Sequence, residues 1–234
     1  MKPKMVIQAD LSARFPELQV FHLRVTGLRA AKSLGELAQQ RLDEAASYVA
    51  STLPTTEALL AHPLVATWRD AYRAMGVKPS AFRCSFEALA RRAIAGKDLR
   101  TGLAAVDLYN ACSLQHTSCL GAFDVAKLTS ALVELRLCEP GGDRFVPLGG
   151  RPDDFPLGDK LVIYGQDNQV LCWGFNCRDS ALSCLDASSD EVLFMTEAVS
   201  EAQAEAAERG LASLRSDLAS ISVQVSDVVA VTPT

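Results

Sequence analysis

Two polar stretches interrupt otherwise apolar surroundings, and they hold the residues best suited to chemistry. The first is LAAVDLYNACSLQHTSCLGAFDVAKL, residues 103–128. Asp107 and Asn110 stand three apart in it, so on a helix they share a face. Their neighbours Val106, Leu108, Ala111 and Leu114 are apolar, which pushes the pair toward the interior. A polar group buried there must find partners, or it costs roughly 2–7 kcal/mol. Two readings are open for each: it ties down a neighbouring loop, or it contacts a ligand. The second stretch is FNCRDS, residues 175–180, polar directly after a strand-like run. A rigid sheet can hold such a loop in place for chemistry.

Cys112, Cys119 and Cys177 lie in these stretches, and a thiol nucleophile needs a lowered pKa or an adjacent base. Only Cys119 has a nearby histidine, His116; the other two histidines, His22 and His62, lie elsewhere. Seven cysteines with no CxxC pair read as reduced, mostly buried small groups. Cys112, His116 and Cys119 lack a fourth ligand at usable spacing, so no metal is expected. The chain carries no P-loop, dinucleotide glycine fingerprint, G-x-S-x-G elbow or H-E-x-x-H, and no organic cofactor is implied.

The net charge of -5 is unevenly spread. Between Arg69 and Arg100 eight basic residues face only Asp70, Glu87 and Asp98, leaving +5 there and -10 elsewhere. A solvated helix surface and a phosphate-binding face both fit that asymmetry. Arg91 and Arg92 are adjacent and cannot both face a core, so at least one is open to a polyanion; Arg83 and Lys97 flank them.

The elements that position these groups follow from periodicity. Residues 18–25, LQVFHLRV, alternate as a half-buried strand. Helices are predicted from Leu34 to Tyr48, after Thr55–Thr56, from Leu64 to Met75, from a Ser85 cap to Gly96, and across the first polar stretch. Asp124 is expected to cap a further helix. Residues 161–165 and 169–175 read as a hairpin around Gln166-Asp167-Asn168, and Val192–Met195 as a strand. A C-terminal helix is predicted over 197–220, followed by an edge strand or loose tail at 221–234. Helices segregated from hairpins give an α+β fold, and 49% hydrophobic content supports one domain over 1–234. With no apolar run near the roughly 20 residues that span a bilayer and no signal-peptide core, a cytoplasmic protein is expected, with no membrane partner.

Several separated segments resemble one family in the same order. AVDLYNACSLQHTSCLGAFDVAKL, with WRDAYRAMGVKPSAFRCSFEALARRAIAGKDL upstream and GDKLVIYGQDNQVLCWGFNCRDS downstream, resembles the B3/B4 editing domain of the phenylalanyl-tRNA synthetase β chain. The likeness is strongest over 60–197 and closest to freestanding B3/B4 proteins. It implies helices packed on mixed and antiparallel sheets. It implies a trans-editing aminoacyl-tRNA deacylase whose partner is a mischarged tRNA, canavanyl-tRNA(Arg) being one such substrate. By the same resemblance, Asp179 holds the substrate's α-amino group, beside Asn176 and Arg178. Asp107, Asn110 and Asp124 match the family framework, and Gly121 stands where the family has a histidine. Arg83, Arg91, Arg92 and Lys97 would grip tRNA. A cationic side-chain pocket would draw on Asp167, Glu134 or Asp186. The rival readings are a tRNA- or amino-acid-binding module without turnover, and an interaction domain with an apolar patch near 197–220.

Overall fold

The computed structural model describes residues 2–233; Met1 and Thr234, the ends of the predicted 1–234 domain and 221–234 tail, lie outside the described residues. In chain order the elements are β1 (Lys4–Ile7), β2 (Gln19–Thr26), α1 (Leu34–Thr52), α2 (Thr56–Ala61), α3 (Pro63–Ala74), α4 (Ser85–Ile94) and α5 (Ala104–His116). They continue through β3 (Gly121–Asp124), β4 (Leu132–Leu137), β5 (Arg144–Phe145), β6 (Val162–Gln166), β7 (Gln169–Trp173), β8 (Arg178–Asp179) and β9 (Val192–Ala198). The chain ends with α6 (Glu201–Ser220), β10 (Gln224–Val225) and β11 (Val229–Val231).

The strands form two sheets. One is mixed, in the order β1-β4-β6-β7-β5, with β8 paired to β7. β1 runs parallel to β4 and β5 to β7; the other pairs are antiparallel. The second sheet is antiparallel, in the order β10-β2-β9-β3, with β11 also paired to β2. Helices pack on these sheets, giving an α+β fold.

β9 explains the layering. All seven residues of VLFMTEA are buried, so the strand is covered on both faces and its apolar run does not alternate with polar residues. Leu193 and Met195 join one core, which reaches across to the mixed sheet and α3. Val192, Phe194 and Ala198 join a second core under α6. Leu211, Leu214 and Leu218 of α6, spaced for one helical face, are each fully buried there. Each such leucine stabilises the fold by about 1.5–3 kcal/mol.

The helix starts differ from expectation in three places. Cys84 caps α4, its sulfur accepting from Glu87 N–H at 3.4 Å, so Ser85 is the first helical residue instead of the cap. Asp124 ends β3 and caps a single 3-10 turn, Val125–Lys127, accepting from Ala126 N–H at 3.0 Å. No longer helix follows, because the backbone is already extended again at Leu128. α6 begins at Glu201, four residues later than predicted, because Glu197 and Ala198 are held in β9 opposite Val20 and Gln19. Ser200 accepts from Gln203 N–H, and the Gln203 side chain accepts from Val199 N–H at 2.9 Å, fixing that start. Among the described residues, no helix is long and apolar enough to cross a membrane.

Candidate active site

The loop after β7 enters the site through a strained turn. Gly174 and Phe175 both have positive φ, 64° and 58°; for a phenylalanine this is an uncommon conformation. Burial of its ring holds it there, edge-on to Phe15 at 5.3 Å and Trp68 at 5.5 Å. The turn delivers Asn176 to a polar junction. Its Oδ1 accepts from Ser85 N–H at 3.1 Å and lies 3.4 Å from the Tyr72 hydroxyl, which donates to Gly174 O at 2.8 Å. Its Nδ2 donates to Glu197 Oε1.

Glu197 is 3% exposed and also accepts from the Tyr164 hydroxyl at 2.8 Å. Burial drives its carboxyl up to about 7, and nearby Asp179 adds to the rise, against the pull of the Asn176 and Tyr164 hydrogen bonds. Asp179 is half-buried on β8, and burial raises its carboxyl as well, opposed by the Cys172 thiol and the Arg178 charge. The two acids and Asn176 line a cavity of about 230 Å³, bounded by Ala88 and Leu89 of α4, Tyr109 and Asn110 of α5, Gly121 of β3 and Met195 of β9.

Of the residues predicted for the site, the structure brings Asn110, Gly121, Asn176, Arg178 and Asp179 to this cavity. Asn110 is 7% exposed, and its carboxamide has no protein hydrogen bond among the described residues. Gly121 pairs with Met195, whose methyl would lie 3.1 Å from a Cβ at 121, so Met195 fills the space a side chain there would enter. Arg178 is exposed and turns away from Asp179. Its guanidinium donates to Leu148 O at 3.4 Å and lies 5.4 Å over the Phe155 ring.

Asp107 and Asp124 lie elsewhere. Asp107 accepts from the backbone and hydroxyl of Thr101 at 2.8 and 2.7 Å, tying down the loop before α5. Asp124 accepts from Ala126 N–H and from the Ser189 hydroxyl at 2.7 Å. Asp167, Glu134 and Asp186 do not line the cavity either. Asp167 forms the β6–β7 turn at φ 49°, Glu134 accepts from Gln8, and Asp186 pairs with Lys127 at 2.7 Å.

The basic stretch divides. Glu87 is fully buried, and Arg69, Arg83 and Arg91 gather on it at 3.1, 3.7 and 3.0 Å. Helical spacing places 87 and 91 one turn apart, and Arg83 approaches from the loop before the Cys84 cap, so both arginines are drawn to a buried carboxylate. Arg92 is exposed and donates to Asp98 O, and Lys97 is exposed.

Cys112 and Cys177 are poor nucleophiles. Burial pushes Cys177 up to about 11 and Cys112 up to about 12, and Cys112 does not line the cavity. Cys119 does line it, but beside the Cys84 thiol; His116 is absent from the cavity wall and has Arg209 and Asp217 as charged neighbours. Among the described residues no group of three or more His, Cys, Asp and Glu is arranged to hold a metal.

Glu197 escapes a reading by composition, because it borders a helix-rich segment. One signal marks it: the Ser200-x-x-Gln203 cap, which sets the helix start beyond it.

A model of the B3/4 domain family matches residues 67–228. The fold is also similar to the N-terminal fragment of the phenylalanyl-tRNA synthetase beta-subunit from Pyrococcus horikoshii, with a TM-score of 0.50 and 11% sequence identity. That likeness covers 96% of this chain and 51% of the other, so the chain spans about half the length of the synthetase fragment. Comparison with curated proteins gives no match.

Proposed function

The chain belongs to the B3/4 domain family, and on that premise we propose that it is an aminoacyl-tRNA deacylase, hydrolysing the ester of a mischarged tRNA in trans. The observation that carries this reading is the convergence of two carboxylates, Asp179 and Glu197, with the uncommitted Asn110 carboxamide in one cavity. An aminoacyl ester presents an α-ammonium group beside its carbonyl. Asp179 receives the ammonium in a charge-assisted hydrogen bond. Glu197, poised near neutrality, takes a proton from a water as its oxygen attacks the carbonyl carbon. It returns that proton to the ribose oxygen as the ester bond breaks, leaving a free amino acid and a tRNA with its terminal hydroxyl restored. Holding water and ester together supplies much of the acceleration.

On this reading Arg92 and Lys97 are the residues of the basic stretch that meet tRNA phosphates, and the protein works in the cytoplasm. The test is a panel of tRNAs carrying noncognate amino acids, canavanyl-tRNA(Arg) among them, scored for loss of the ester. Release from at least one member, abolished by Glu197→Gln, is expected. Binding to the panel without release from any member would identify a non-catalytic module instead.

A further inference from the structure

Resting on the deacylase reading and deepening it, we propose that the Tyr109 hydroxyl is the hydrogen-bond donor to the oxyanion formed on the ester carbonyl. The cavity holds two carboxylates and few free donors. Asp179 and Glu197 are acceptors when ionised, and an ester carbonyl that gains negative charge near them is repelled unless a donor faces it. The free Asn110 carboxamide, beside Tyr109 on α5, is one donor the cavity keeps; most others are committed. The Asn176 amide donates to Glu197, and the exposed Arg178 guanidinium is turned toward Leu148 O and the Phe155 ring. The Ser85 hydroxyl is sealed from solvent and unpaired. Thiols are weak donors.

Tyr109 is different. It is 8% exposed, lines the cavity from α5, and its hydroxyl has no protein hydrogen-bond partner among the described residues. A buried tyrosine hydroxyl ordinarily finds a partner. The ring is held from the other side, edge-on to Phe194 of β9 with centroids 6.1 Å apart, inside the core beneath α6. After burial itself, Asp179, a cavity residue, is the largest influence on the phenol. Burial raises its pKa well above the ordinary value, so the group keeps its proton at any working pH. A fixed ring with a neutral, unshared O–H meets the geometric need of an oxyanion donor, which must be in place before charge develops.

In the step itself water adds to the carbonyl carbon, and the C=O π pair moves onto oxygen. Tyr109 shares its hydrogen with that oxygen without releasing it. When the tetrahedral centre collapses, the electron pair returns, the ribose oxygen leaves with the proton held by Glu197, and Tyr109 is unchanged.

The experiment compares the full chain with Tyr109→Phe, which keeps the ring and removes only the hydroxyl. The substrate is the aminoacyl-tRNA of the panel that the parent turns over fastest. The expected result is a fall in kcat of at least tenfold, about 1.4 kcal/mol of barrier, with KM within twofold. The melting temperature and the affinity for the matching 3′-aminoacylamino-3′-deoxyadenosine, an amide that resists hydrolysis, should not change. An unchanged kcat would overturn the proposal. So would a loss lying in KM and in affinity for the amide, which would make Tyr109 a ground-state binding group. If the parent itself releases no amino acid from any member of the panel, the deacylase reading fails first, and that outcome is distinct from a variant-specific loss.

Discussion

Asn176 and Glu197, 21 residues apart in sequence, are joined by a hydrogen bond from carboxamide to carboxylate that ties the β7 loop to the centre of the antiparallel sheet. The bond is made to an acid that burial has raised to about 7, so its strength depends on whether Glu197 is ionised.

That dependence gives a stability profile. Glu197 ordinarily titrates near 4.5 and in the fold near 7, so the folded chain holds this proton more tightly. Its contribution is full below about pH 4.5 and is lost as pH rises through about 7, a change on the order of 3 kcal/mol. Glu197→Gln cannot titrate there. The melting temperature of the parent relative to that of Glu197→Gln should therefore fall steadily from pH 4.5 to 7.5. Parallel melting profiles would show that the acid is not held in its neutral form.

Asp179 pushes Glu197 upward, so the two acids should be coupled in activity. Asp179→Asn removes a charge while keeping size. It should weaken substrate binding by about tenfold or more, the loss of one hydrogen bond between charged groups. The acidic limb of the kcat profile should also move to lower pH, because Glu197 loses a like-charged neighbour. A limb that stays in place would mean the two carboxylates act independently.

The arginine cluster makes opposite predictions for neighbouring residues. Arg91→Gln removes one of three partners of buried Glu87 and should cost about 1–2 kcal/mol of stability, read by urea unfolding. Arg92→Gln with Lys97→Gln should leave stability unchanged but flatten the dependence of log affinity for tRNA on log salt by about 1.4–1.8. If the slope stays at the parent value, the phosphates are held elsewhere.

Gly210 sits inside α6, where alanine would ordinarily add about 1 kcal/mol of helix stability. A Cβ there would lie 2.5 Å from Ser118 Oγ and 3.0 Å from Leu120 Cδ1. Gly210→Ala should therefore destabilise the protein by about 1–3 kcal/mol, with part of the loss recovered by adding Ser118→Ala. A more stable single variant would show that the helix moves outward at no cost.

Long periodic segments were legible in the sequence: β2, the β6–β7 hairpin and the five helices from α1 to α5 follow from alternation, caps and proline placement. Short strands were not. β1 has four residues, and β3, with the sequence GAFD, is a strand because it pairs with β9, a partner 68–74 residues away that no local pattern names. The candidate site was half legible for the same reason. Asn110 stood out as a polar residue in an apolar run, and Asp179 through the family resemblance and its place just after a strand. Glu197 stood at a boundary between strand and helix, and only its pairing opposite Val20 keeps it in the sheet. Arg91 looked available because charge counting cannot see that Glu87 is buried beneath it.

Because β9 is covered on both faces, paired with β2 over Val192–Ala198 and with β3 over Val192–Met195, its amides are shielded from solvent until the two cores open. Hydrogen exchange there should report the opening of the whole molecule. Glu197 rides on that slowest-exchanging strand. Heat or denaturant should therefore displace Glu197 only as the entire fold opens, whereas Asp179, on the two-residue strand β8, can be lost earlier.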